Sequence, residues 1–223
     1  MQKFLGFFLG LFLLIGPAQA DTFVWKDPAE DFTLSFPDSW TLQTEDSSTT
    51  KLRIAGPIAT DLATCRMQVE EDGRAKIYPK RLVDEAVVGL LDEDFWRGQI
   101  AVLDNAELGS YYAPAGLGDK GDATAIRFSF LQDKTPMHGV AIASIYGGKR
   151  YIATCSSRQD SYEQYADLFG SILGSTELKS KYHPFAIGYY RDFLADPKLV
   201  LPRVKPGTLH KNTFYLRENK YNQ

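Results

Sequence analysis

Two residues in this sequence carry side chains that could join covalently, Cys65 and Cys155. Both stand at apolar positions of alternating segments, which predicts that both are buried in strands. An even pair of cysteines predicts a disulfide in an oxidising compartment, whereas two reduced, buried thiols are the alternative. The sequence contains no C-x-x-C motif, so a thiol-exchange enzyme is not indicated.

Histidine is a common general base and metal ligand, and the sequence has three: His138, His183 and His210. They occur in three separate contexts without the spacing of a motif such as H-E-x-x-H. Each is therefore interpreted as an ordinary surface or boundary residue. No G-x-S-x-G nucleophile elbow is present either. The sequence predicts no catalytic residue and no metal ligand.

Two further stretches have compositions that occur in nucleotide-binding or metal-binding sites. The glycine-rich stretch Gly116–Gly121 lacks the spacing of a phosphate-binding loop and precedes no predicted helix, so we interpret it as a loop. The acidic cluster Asp92–Asp94 is interpreted as a solvated loop, because a metal site usually needs more converging oxygens. We expect no cofactor.

Residues 1–20 have the layout of a Sec signal peptide. A positively charged start containing Lys3 precedes the uncharged apolar run Phe4–Ile15, and the small residues Ala18 and Ala20 come before the predicted cleavage site. A membrane anchor is the alternative, but the run is shorter than the roughly 20 residues that span a bilayer. We therefore expect a secreted or periplasmic protein that begins at Asp21.

Most of the mature chain shows the period-two alternation of apolar and polar residues that is typical of strands. Gly147 and Gly148 separate two of these segments and predict a hairpin turn. The predicted strands are Thr22–Lys26, Asp31–Phe36, Lys51–Ala55, Thr64–Glu70, Thr124–Leu131, Val140–Tyr146 and Tyr151–Cys155. Val140–Tyr146 is apolar or small on both faces, which predicts a position at the centre of the sheet. The intervening Pro114–Asp122 is rich in glycine and is predicted to be a loop.

Two segments show apolar stripes at helical spacing. The first begins near Pro79 and its stripe runs from Leu82 to Leu91. The second runs from Tyr162 to Leu173, with Ser156 or Ser157 as the predicted cap and Gly174 at its end. A third, aromatic helix is predicted over Pro184–Ala195.

Charge divides the chain into an acidic body and a basic C-terminal extension. Residues 21–174 contain 15 Lys and Arg against 24 Asp and Glu, and residues 175–223 contain 9 against 4. An acidic body argues against a nucleic-acid partner, because phosphate binding needs a basic face. We therefore divide the mature chain into one α+β domain, residues 21–174, and a basic, proline-containing extension, residues 175–223.

The extension keeps aromatic residues that a purely solvated tail would not need. Its candidate partner-docking residues are Tyr189, Tyr190, Arg191, Phe193, Phe214 and Tyr215. Docking on a second protein or on an anionic membrane surface is one hypothesis for the extension. Folding back onto the acidic body and disorder are the alternatives.

Near the mature start, the sequence Asp31–Trp40 has the form F-x-(apolar)-x-(aromatic)-P-x-x-W. With the order of predicted elements, this resembles the PsbP-like fold family over about residues 22–174. That family includes a photosystem II extrinsic subunit, a Ran-binding nuclear protein and many bacterial envelope proteins. The resemblance implies an antiparallel sheet flanked by helices, an α/β/α sandwich, and implies no shared active site.

The missing catalytic motifs, the resemblance and the extension together favour a non-catalytic secreted or periplasmic accessory protein. We expect it to dock on another envelope protein or complex, and we expect no nucleic-acid partner. One alternative is a small-ligand or lipid carrier, because a sheet with apolar faces can leave a pocket beneath a helix. The other is a hydrolase that lacks a recognisable motif.

Overall fold

The computed structural model describes residues 21–27, 29–43, 47–74, 86–117, 121–178 and 187–192 of the chain. The predicted signal peptide, residues 1–20, lies outside these ranges. The strands are β1 Asp21–Asp27, β2 Phe32–Pro37, β3 Thr41–Gln43, β4 Thr50–Ala55, β5 Thr64–Glu71, β6 Asp104–Leu117, β7 Gly121–Gln132, β8 Thr135–Tyr146, β9 Lys149–Arg158, β10 Glu177–Leu178 and β11 Ile187–Asp192. The helices are α1 Glu93–Ile100 and α2 Tyr162–Gly174, and residues 86–90 are also helical.

The strands form two antiparallel sheets. The large sheet has seven strands in the order β3-β4-β5-β9-β8-β7-β6, and the small sheet has four in the order β10-β2-β1-β11. The predicted hairpin of β1 and β2 is confirmed, with pairs from Thr22↔Pro37 to Asp27↔Phe32. β8 lies between β7 and β9 and is buried along most of its length, as its apolar faces predicted.

Helices cover both faces of the large sheet, so the α/β/α arrangement is confirmed. On one face α2 places Tyr165 and Phe169 against Trp40, with ring centroids 6.3 Å and 6.2 Å from the Trp40 centroid. On the other face the α1 residues Trp96 and Ile100 pack in a second buried cluster with residues of β7, β8 and β9. No helix in the described ranges is long and apolar enough to cross a membrane.

Hydrogen bonds fix the position of α1 on its face. The Trp96 indole Nε1–H donates to the Thr124 hydroxyl at 2.9 Å, and that hydroxyl donates to the Leu91 carbonyl at 2.6 Å. All three residues are buried. The described part of the predicted first helix, residues 86–90, is helical, and its stripe residues Val87 and Leu91 are buried as expected.

Four local predictions were wrong. The described residues of the predicted loop Pro114–Asp122 are strand residues, because β6 continues to Leu117 and β7 begins at Gly121, and residues 118–120 lie outside the described ranges. β6 is an edge strand with three shifts in its pairing to β7, and a bulged edge tolerates proline and glycine. Ser156 and Ser157 do not cap α2, because both pair with β8 inside β9. α2 begins after Ser161, whose side chain makes no capping hydrogen bond.

The other two wrong predictions concern the acidic cluster and the third helix. Asp92–Asp94 is exposed but begins α1, and the Asp92 carboxylate accepts the Phe95 N–H at 2.9 Å as the helix cap. The third helix, predicted over Pro184–Ala195, is instead strand β11 over Ile187–Asp192. Six residue pairs with β1 hold this tyrosine-containing stretch in the small sheet, so tertiary pairing outweighs its helical pattern.

Polar contacts at two places help to attach the small sheet to the rest of the molecule. The Ser175 hydroxyl, at the end of α2, accepts the Ser35 N–H at 2.8 Å and lies 2.7 Å from the Ile172 carbonyl oxygen. In the β1–β2 turn, the Glu30 carboxylate lies 3.0 Å from both Lys51 Nζ and Lys149 Nζ. The small sheet is therefore attached to α2 through β2 and to the large sheet through the β1–β2 turn.

The predicted disulfide between Cys65 and Cys155 is confirmed. The two residues are directly paired in the β5–β9 ladder, their Cα atoms are 4.0 Å apart, and both are buried. The alternative of two reduced thiols is thereby excluded for this structure. The bond closes a loop between residues 90 positions apart in the sequence.

Replacing both cysteines, as Cys65→Ala with Cys155→Ala, should lower the free energy of unfolding by about 2–5 kcal/mol, because the unfolded chain is released from the closed loop. Denaturant unfolding of the two proteins measures this difference. Thiol labelling of the denatured wild type should find no free thiol without reductant and both thiols with it. Two labelled thiols per chain before reduction, in protein taken from an oxidising compartment, would contradict the prediction.

Phe169→Ala should lower the free energy of unfolding by about 3–5 kcal/mol, because removal of a fully buried aromatic ring leaves a cavity where α2 packs on the core. Phe169 is 0% exposed and contacts the rings of Trp40, Tyr162 and Tyr165. Asp167→Ala, on the exposed face of the same helix, is the matched control and should stay within about 0.5 kcal/mol. Equal effects of the two substitutions would show that α2 is not packed as described.

Candidate functional site

Two cavities in the described part of the chain are lined by charged side chains. The larger, of about 420 Å³, lies where β5 ends, beside the start of α1. The smaller, of about 230 Å³, lies between β6, β7 and β8 and the first turn of α2. The larger cavity is lined by Glu71, Asp72, Gly73, Arg74, Gly89, Leu90, Asp92, Phe95 and Arg150.

The charges of the larger cavity are paired with one another. The buried carboxylate of Asp72 accepts two hydrogen bonds from the Arg74 guanidinium, at 3.1 Å and 2.9 Å. These bonds from Arg74 hold the pKa of Asp72 below its ordinary value despite burial. Arg150 pairs with Glu70, and its guanidinium lies 5.1 Å above the Phe95 ring centroid. Arg150 Nε is buried without a hydrogen-bond partner among the described residues, but the contacts of Arg150 with Glu70 and Phe95 link β9 to β5 and to α1.

The smaller cavity, which we call the α2 cleft, is lined by Gly109, Arg127, Phe128, Ser129, His138, Gly139, Tyr162 and Glu163. β7 supplies Arg127 and Ser129, and β8 supplies His138 directly opposite Ser129 in the ladder. Tyr162 and Glu163 come from the first turn of α2. Residues from three elements therefore bring a guanidinium, an imidazole, hydroxyls and a carboxylate to one small space.

Tyr162 is the buried wall of the α2 cleft. It is 5% exposed, and the His138 ring contacts it edge-on with centroids 5.6 Å apart. Burial raises the pKa of Tyr162 to about 12, although the nearby positive charge of Arg127 acts in the opposite direction. The hydroxyl is therefore protonated at neutral pH and can donate a hydrogen bond.

Gly139 in β8 also lines the α2 cleft, and a larger residue there would require the Phe128 ring to move. A Cβ atom on Gly139 would lie 2.6 Å from an atom of the Phe128 ring, which is closer than real Cβ contacts come. Phe128 is the direct partner of Gly139 in the ladder, so its ring occupies the space that a side chain would need. This contact fixes the two strands that carry Arg127 and His138.

The sequence did not identify the α2 cleft. Of the three histidines, His138 lies in β8 and lines the cleft, whereas His183 and His210 lie outside the described residues. The alternation of Thr124–Leu131 places Arg127 and Ser129 on the polar face of a strand and indicates no site. Within the described ranges, no group of His, Cys, Asp and Glu side chains is arranged to hold a metal ion.

The candidate docking residues are only partly described. Tyr189, Tyr190 and Arg191 lie in β11, where their Cα partners on β1 are Val24, Phe23 and Thr22. The other candidates, Phe193, Phe214 and Tyr215, lie outside the described residues. The structure thus brings three of the six together on one strand, at the edge of the small sheet.

Neither a protein-family model nor a curated protein matches this chain. Among solved structures, it is similar to cyanobacterial PsbP (CyanoP) from Synechocystis sp. PCC 6803, with a TM-score of 0.54 and 16% sequence identity over 76% of this chain and 98% of that one. It also matches LpqN, described as involved in cell envelope biogenesis of Mycobacterium tuberculosis, with a TM-score of 0.46 and 18% identity over 66% and 83% of the two chains.

The similarity to CyanoP covers nearly all of that protein. At 16% identity it establishes the architecture and transfers no activity or binding residue. The α+β fold expected from the Asp31–Trp40 sequence is therefore confirmed. This chain has the PsbP-like fold.

Proposed function

We propose that this protein is a non-catalytic accessory protein of the cell envelope, and that it binds another envelope protein or complex along strand β11. The predicted signal peptide with cleavage after Ala20 supports an exported protein. The Cys65–Cys155 disulfide fits the same location, because disulfides persist in oxidising compartments and are rare in the cytosol.

The position of β11 at a sheet edge carries the proposal. One edge of β11 pairs with β1 from Lys26↔Ile187 to Asp21↔Asp192. No second neighbour of β11 occurs among the residues that the structure describes. The backbone N–H and C=O groups of an open edge can pair with an extended segment of another protein, which adds to the sheet as a further strand.

Residue types and charge also favour β11. Tyrosine and arginine are enriched among the residues that dominate protein–protein binding, and β11 contains Tyr189, Tyr190 and Arg191. The extension that contains β11, residues 175–223, has 9 Lys and Arg against 4 Asp and Glu, whereas the body is acidic. An acidic extended segment of the partner would be drawn to the extension and repelled by the body.

Site-specific photocrosslinking in the native envelope tests the proposal. A photoreactive amino acid at Tyr189 or Tyr190 should give one defined adduct with another envelope protein. The same amino acid at Lys134, in the exposed turn between β7 and β8, is the control and should give no such adduct. The yield of the adduct should fall as the salt concentration rises, because screening reduces the attraction between opposite charges.

Four outcomes would contradict the proposal. Adducts formed only within the same chain would show that the extension covers its own edge strand. Equal adducts at Lys134 would show that the contact is not specific for β11, and crosslinks to lipid alone would indicate a membrane surface as partner. Turnover of an ester, peptide or glycan by the purified mature protein would contradict the non-catalytic assignment.

A further inference from the structure

Arg127, which lines the α2 cleft, differs in its ion pairing from three other cations of the large sheet, although Arg150 Nε is also buried without a partner. Lys51 and Lys149 pair with Glu30, and Arg150 pairs with Glu70. Arg127 is half-buried, yet it makes no ion pair and no side-chain hydrogen bond with any described residue, and its Nε is buried without a partner. A buried N–H of a charged guanidinium that has no acceptor is costly, so an anion that accepts a hydrogen bond from it would be bound favourably.

A second polar group at the same place also lacks a partner. The Tyr162 hydroxyl is buried and has no hydrogen-bond acceptor among the described residues. The side chain of His138, whose ring contacts the Tyr162 ring, likewise makes no hydrogen bond or ion pair with any residue that the structure describes. The cleft therefore gathers hydrogen-bond donors and supplies few acceptors, which is the arrangement expected at a site for a negatively charged group.

The shape of the cleft suits a small molecule. Its volume of about 230 Å³ is below the roughly 300–1,000 Å³ of pockets for drug-sized ligands, so only a small molecule or ion would fit. A bulge in β6 lies at its rim, where Gly109 falls between the paired residues Leu108 and Ser110. A Cβ atom at Gly109 would lie 3.2 Å from the Arg127 carbonyl oxygen, so this bulge brings the β6 backbone close to β7.

We propose that the α2 cleft binds a small anion, a carboxylate or a phosphate group, with Arg127 as its charged partner and Ser129, His138 and Tyr162 as the surrounding donors. This site is separate from β11, and its occupancy requires no protein partner. Glu163 is the one acidic residue in the lining, and it is exposed. Its negative charge at the rim weakens anion binding modestly, because solvent screens it.

Titration of the purified mature protein with inorganic phosphate and, separately, with benzoate tests the site, with binding followed by NMR. One of the two anions should give saturable shifts that centre on the amides of Arg127, His138 and Tyr162, and the two titrations show which head group the site prefers. Arg127→Gln should weaken this binding about tenfold or more, since a charged hydrogen bond is lost. Arg127→Lys should keep part of the affinity, because the charge remains while the planar guanidinium is lost.

Two further variants leave Arg127 in place, so their results do not depend on whether the Arg127 variants fold correctly. Glu163→Gln, at an exposed position, should strengthen binding about twofold by removing a repulsive charge. Arg97→Gln, which removes an exposed arginine paired with Glu93 on α1, is the control and should leave binding unchanged. Absence of saturable binding of both anions in the millimolar range would overturn the proposal. Weaker binding by Glu163→Gln, or equal losses for Arg97→Gln and Arg127→Gln, would overturn it as well.

Discussion

The pairing of β5 with β9 is the interaction on which the rest of the structure depends. Eight residue pairs, from Thr64↔Ser156 to Glu71↔Lys149, join the strands of the first half of the chain to the later meander. Without this ladder, β3, β4 and β5 would be separate from β6 to β9, and no continuous large sheet would exist for the two helical layers to cover. The Cys65–Cys155 bond lies within this ladder and ties the two halves covalently.

Helix α2 converts that continuous sheet into a molecule with an interior and a cleft. Its aromatic stripe is buried against Trp40, while Ser175 at its end is bonded to the backbone of β2. Because the aromatic stripe of α2 packs against Trp40 and the end of the helix is bonded to β2, the first turn of α2 is held above β7 and β8. The packing that stabilises the helix therefore also places Tyr162 beside Arg127. The candidate anion site is thus a consequence of how α2 packs on the hydrophobic core.

The sequence predicted those elements whose pattern reflects local burial. Alternation gave the strands from β1 to β9 that have one buried face, and helical spacing gave α2 with its end at Gly174. It did not predict β6, because bulges on an edge strand interrupt the alternation. It also missed β11, whose conformation depends on pairing with a strand more than 160 residues earlier.

The same limit applies to the α2 cleft. Arg127 in its own strand looks like any polar residue on the outer face of a sheet, and Tyr162 looks like core packing in a helical stripe. Only the crossing of α2 over β7 and β8 brings the two side chains together, and no local pattern encodes that crossing. The disulfide was predictable because cysteine is rare in this chain and its pairing chemistry is restricted.

The long separation between β5 and β9 has a consequence for how the chain acquires its structure. When β5 has paired with β4, its other edge stays open until the polypeptide as far as Arg158 has been supplied. Contacts between distant residues form slowly, because the entropy cost of closing a long loop comes before the contacts can stabilise the chain. During that interval the strand edge can pair with another chain, so folding yield should depend on protein concentration and on chaperones that shield β5.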